Sequence, residues 1–84
     1  MKLEDRAHVA RAIWSKFSTL TGESPRDPTA REWYVLTGWL DRGIPLPVIL
    51  RGFGEFQGRP RLLTAMEAPV ERAYRYYAQA MALR

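Results

Sequence analysis

The chain has no cysteine, a single histidine and only two lysines. Without cysteine there is neither a disulfide nor a thiolate metal site, and the composition is compatible with a reducing compartment without requiring one. One histidine leaves no Ser/His/Asp arrangement beyond that residue. Long apolar runs are also lacking, since nothing approaches the ~20 residues that span a bilayer. The segment MKLEDRAHVARAIW places acids and an arginine where a secretory signal needs an apolar stretch. These absences predict a cytoplasmic, soluble protein with no membrane partner.

What is present is an ordinary globular mixture. The 84 residues are 46% hydrophobic and 26% charged, with three Trp, four Tyr and three Phe. A chain this short forms one domain and buries only ~60–65% of its unfolded surface, so large aromatic side chains matter to its core. Eleven of the thirteen basic residues are arginine, and the net charge is +4. Residues 1–41 carry six basic and six acidic side chains, whereas residues 42–84 carry seven and three. The excess sits at Arg42, Arg51, Arg59, Arg61, Arg72, Arg75 and Arg84. Such asymmetry points to an anionic partner, or to an arginine-rich but merely solvated surface.

Apolar spacing predicts four helices. Val9, Ile13, Phe17 and Leu20 form one helical stripe over Leu3 to Leu20, beside Ala10 and Trp14. Gly22 and the prolines of TGESPRDP stop it. A second helix begins near residue 28, through either Asp27-Pro28 or the capping box T-x-x-E of Thr29 and Glu32. It carries Trp33, Leu36 and Leu40 on one edge, adjoined by Val35 and Trp39. Gly43 ends it in a Schellman-type turn that sets Ile44 against Trp39, and Pro45 prevents its return. The third runs from Pro45 or Pro47 to Gln57, with Leu46, Ile49, Leu50, Phe53 and Phe56 on its stripe. Being apolar around much of its girth, it belongs in the middle of the fold. Gly52 and Gly54 weaken it by about 1 kcal/mol each, a sacrifice that fits close approach of another helix backbone or a bend. Leu62 and Leu63 pin down the connector GRPRLL. A turn over Thr64–Ala68, opened by T-A-M-E, precedes a last helix starting at Pro69. The expected fold is a compact four-helix, all-α single domain with a central apolar third helix.

The stretch WLDRGIPLPVIL has the glycine turn of a helix-turn-helix. Aligned on Gly43, however, Trp39 occupies the position that needs a small residue. Between Leu46 and Phe56 only Arg51 and Glu55 are polar, too few to read base edges from a major groove. The stretch is read as a structural joint. GFGEFQG has the wrong spacing for a dinucleotide loop and follows no strand. Glu4 and His8 lie one turn apart, but two ligands on an exposed helix without a third make a poor metal site. No catalytic residue, metal or cofactor is expected.

Two surfaces remain. Arg59 and Arg61 on the connector and Arg72 and Arg75 on the last helix are candidate phosphate contacts for DNA or RNA, with Tyr76 placed to stack on a base. The competing reading pairs Arg72 and Arg75 with Glu71 and Glu67 as ordinary surface charges. The stripe Val70, Tyr74, Tyr77 and Met81 is either core or the interface of a homodimer or protein partner.

The run from AIWSKF through DPTAREWYVLTGWLDRGIPLPVILRGF resembles the C-terminal helical module of DnaD-like primosomal and phage replication-initiation proteins. Thr29, Trp33, Leu40, Gly43 and Leu50 match its pattern, over about residues 10 to 56. The W-x-x-x-GIPL arrangement from Trp39 to Gly52 also resembles small bacterial proteins of unknown role. The family's Tyr/Trp signature near its end has no counterpart in YRYYAQAMALR. The resemblance implies binding to DNA and to replication proteins. The function expected from sequence is thus a non-enzymatic nucleic-acid-associated module, a replication accessory factor. A protein-interaction adaptor or homodimeric module is the alternative.

Overall fold

The computed structural model describes residues 3–83. Four helices follow one another: α1 Leu3–Thr21, α2 Ala30–Asp41, α3 Leu46–Glu55 and α4 Glu67–Ala82. A single 3₁₀ turn, Leu63–Met66, leads into α4. The described residues contain no strand, as the all-α reading required.

Local signals in the sequence set the ends of these helices. Gly22 takes a φ of +70° after α1, a conformation that disfavours residues with a β-carbon. Thr29 caps α2 through a complete box: its hydroxyl accepts from the Glu32 N–H at 3.1 Å, while its own N–H donates to the Glu32 carboxylate at 3.0 Å. At the other end the Ile44 N–H donates to the Trp39 carbonyl at 3.1 Å and the Gly43 N–H to Leu40 at 3.0 Å. Those two bonds and the Gly43 φ of +73° make the Schellman turn. Ile44 and Trp39 are both buried beside it. The joint in WLDRGIPLPVIL therefore swings α3 back across the fold, and Pro47 sits within the first turn of α3, where no N–H is needed.

Helix α3 ends at Glu55, not Gln57, so Phe56 lies just beyond it, and the start of the last helix also differs from the sequence reading. Helix α4 starts at Glu67, not Pro69. Pro69 is accommodated because the first-turn N–H groups of a helix have no intrahelical partner. The T-A-M-E capping box does not form, since Thr64 lies inside the 3₁₀ turn and no side chain caps either it or α4.

Helix α3 occupies the centre. Ile49 is fully buried, Val48 and Phe53 nearly so, and Leu46, Leu50 and the following Phe56 pack partly buried against the core. The Phe53 ring meets Phe17 of α1 at 6.1 Å and Trp39 of α2 at 6.0 Å, both edge to face. Such pairs add about 1 kcal/mol each beyond burial. Ala10, Ile13 and Phe17 supply the α1 side, while Leu20 at the end of that stripe is exposed. Leu63, Met66, Val70 and Ala73 close the core from the last third of the chain.

The most extensive helix packing is α3 on α4, and Gly52 makes it possible. A β-carbon there would stand 2.7 Å from the Val70 Cα. Gly54 has open space around it and no such role. Helix α4 outruns this support: every residue from Tyr76 to Leu83 is exposed. None of the helices among the described residues is long and apolar enough to cross a membrane.

Candidate functional site

Three features of the surface have organised chemistry. The first is a latch around Glu32, which is 1% exposed although charged. Its carboxylate accepts two bonds from Arg26, at 2.7 and 2.9 Å, and one each from the N–H groups of Thr29 and Leu63, at 3.0 and 2.8 Å. Burial pushes the Glu32 carboxyl up, but the bonds from Arg26, Leu63 and Thr29 outweigh it and hold the pKa at about 2. Arg26 lies over the Trp14 ring, and its carbonyl accepts the Trp14 indole N–H at 2.9 Å. It also donates to the Arg61 carbonyl at 3.3 Å. The latch thereby ties α1, the loop after it, the start of α2 and the connector before α4. With every acceptor position engaged, it is a structural device rather than a reactive centre.

Beside the latch a shallow cleft of about 770 Å³ runs along α1 and the following loop, with Trp14 and Trp33 among its walls. Trp33 is 40% exposed there, not the packed edge residue its spacing predicted. The cleft's charges are mixed, with Arg11 and Arg26 against Glu23 and Asp27, and Arg26 is already committed.

The third feature is a groove of about 480 Å³ between the start of α3 and the outer half of α4. Pro45, Pro47 and Val48 form one wall; Ala73, Tyr76, Tyr77 and Ala80 form the other. Arg51 is its only charged lining residue among the described residues. Tyr76 is 65% exposed and Tyr77 38%; Met81 and Leu83 continue the apolar surface outward. Tyr77 stacks on Tyr74 with ring centroids 6.3 Å apart.

The proposed interface residues therefore separate. Val70 is fully buried against Gly52 and serves the core. Tyr74 is half-buried beneath the Arg42 guanidinium, whose carbon lies 5.4 Å from the ring centroid. Tyr77 and Met81 alone of that stripe face solvent to a substantial degree.

The proposed phosphate-binding residues also divide. Arg59 lays its guanidinium against Gly22, and Arg61 borders a hollow formed with Glu23, Asp27 and Thr29. Arg72 and Arg75 stand exposed on α4. No hydrogen bond or ion pair among the described residues links the connector pair to the helix pair. Tyr76 faces the apolar groove. The competing surface-pair reading is corrected at Glu71, which grips Arg42 in a two-pronged bond at 2.6 and 2.8 Å. The bond with Arg42 pulls the Glu71 carboxyl below its ordinary range and raises Arg42. Arg59, Arg61, Arg72 and Arg75 have no carboxylate within ion-pair distance among the described residues.

No group of three or more potential metal ligands occurs among the described residues, and the Glu4 side chain and Arg84 lie outside them. Compared with protein-family models, curated proteins and solved structures, the chain matches none.

Proposed function

We propose that this chain is a non-enzymatic helical interaction module whose contact surface is the outer half of α4 with its neighbouring groove. One observation supports this above the rest: eight successive residues, Tyr76 to Leu83, are exposed and include two tyrosines, a methionine and a leucine. Tyr and Met are favoured at binding surfaces because they offer large, adaptable apolar area. A half-helix without packing gains little stability of its own, so its apolar side chains are accounted for by a partner. Incorporating a photoreactive aromatic residue at Tyr77, with a control at Lys16 on α1, tests the reading in the native host. The expected outcome is a discrete crosslinked species from position 77 alone. No adduct, or the same pattern from position 16, would contradict it.

A second reading has its own support. Arg59, Arg61, Arg72 and Arg75 are exposed, and among the described residues none has a carboxylate within ion-pair distance, which leaves them open to phosphate contacts. The resemblance to DnaD-like modules favours a replication accessory role for such contacts. Retention on DNA at rising salt, compared between the parent and a variant with all four arginines changed to glutamate, decides it. Equal retention removes the nucleic-acid reading.

A further inference from the structure

The groove beside α4 carries information about what fills it. Its floor and walls are aliphatic and aromatic, which suits inserted side chains rather than a sugar-phosphate strand. Its charge is of one sign. Arg51 stands in the α3 wall, and Arg72, exposed on α4, lies one helical turn before the groove residue Tyr76. The acids on these two helices do not balance them. Glu71 is held by Arg42 and Glu67 lies at the far end of α4; Glu55 pairs with Arg51 at 3.8 Å on the exposed side of α3, a contact weak enough to be exchanged for an incoming carboxylate. From Arg72 to Leu83 there is no acidic residue at all.

This distribution decides between occupants. A second copy docked face to face would set Arg51, Arg72 and Arg75 among like charges, with Glu55 the nearest carboxylate to relieve them, which disfavours association. A segment with apolar side chains on one face and carboxylates flanking them meets both properties of the groove at once. We infer that the α3–α4 groove docks an acidic amphipathic helical segment of another protein, its apolar face seated on Pro47, Tyr76 and Tyr77 and its carboxylates paired with Arg51 and Arg72. The inference rests on the docking face proposed above and adds the charge and form of the partner.

Selection from displayed random peptides of roughly sixteen residues, about four helical turns, against the immobilised full chain at physiological salt tests it. Enriched peptides are then synthesised and their affinities measured for the parent and for R51E/R72E and Tyr77→Ser variants of unchanged thermal midpoint. The expected winners are net negative, with apolar residues at i and i+3 or i+4. They lose about tenfold or more in affinity with either variant and weaken as salt rises. Winners that need Tyr77 but show no acidic bias and ignore R51E/R72E overturn the inference while leaving the docking face in place. Winners indifferent to Tyr77→Ser, or no winners, overturn both. A concentration-dependent dimer by light scattering that Tyr77→Ser abolishes assigns the groove to a second copy and overturns the acidic segment. Single-stranded DNA displacing the winners, with its own binding abolished by Tyr77→Ser, overturns it in favour of nucleic acid.

Discussion

Gly52 of α3 lies so close to Val70 of α4 that a β-carbon on the glycine would stand 2.7 Å from the Val70 Cα and 2.9 Å from its nitrogen. Both neighbours are backbone atoms, so neither can rotate away. Gly52→Ala must push the two helices apart, and the loss of packing exceeds the gain of about 1 kcal/mol in helix propensity. Urea unfolding is expected to show a net loss of about 2 kcal/mol. Gly54→Ala, with nothing within 4 Å of the added carbon, is expected to be neutral or to stabilise by up to about 1 kcal/mol. Equal effects from the two would disprove the close approach.

The latch predicts an unequal pair of losses. Glu32→Ala strands the buried Leu63 N–H and frees Arg26, removing four hydrogen bonds at once. The expected destabilisation is about 3 kcal/mol by denaturant titration. Arg26→Ala leaves the carboxylate its two backbone donors and removes a side chain that is 39% exposed, so about 2 kcal/mol is expected. A loss below about 0.5 kcal/mol in either would mean that the connector is held some other way.

Acid should find the same residue. The folded Glu32 carboxyl has a pKa of about 2 against an ordinary value of 4.5. A depressed carboxyl contributes stability that is complete above the unfolded value and is lost as pH falls through the folded one. Stability is therefore expected to decline between about pH 5 and pH 2, with on the order of 3 kcal/mol from Glu32. Glu71, also depressed by its bond with Arg42, adds a loss of the same sign. In Glu32→Gln the slope over this window should flatten markedly. An unchanged slope would show that other carboxylates govern it.

Much of the fold was readable because its signals are local. The Thr29–Glu32 box and the Gly43 turn concern bonds between residues a few positions apart, and the α3 stripe is periodic over one helix. Long-range placement was not readable in that way. Glu32 was recognised as a cap, but its burial depends on Leu63 and Arg26 arriving from elsewhere in the chain. Trp33 and Leu20 fit apolar spacing yet lie where no neighbouring element covers them. The stripe Val70, Tyr74, Tyr77, Met81 is continuous in sequence, and only the length of α3 decides where core ends and surface begins. Pairing of Glu71 with Arg42, across 29 positions, took up the hydrogen bonds that helix spacing offered to the arginines of α4, leaving Arg75 only a longer-range attraction.

The docking face requires that the apolar residues at the end of α4 serve contact rather than folding. Changing Tyr76, Met81 and Leu83 together to serine and measuring the unfolding free energy beside that of Val70→Ala puts this to the test. The triple variant is expected to stay within about 1 kcal/mol of the parent, while Val70→Ala falls by about 2 kcal/mol. A triple variant destabilised as much as Val70→Ala would make those side chains part of the core and leave α4 without a face to offer.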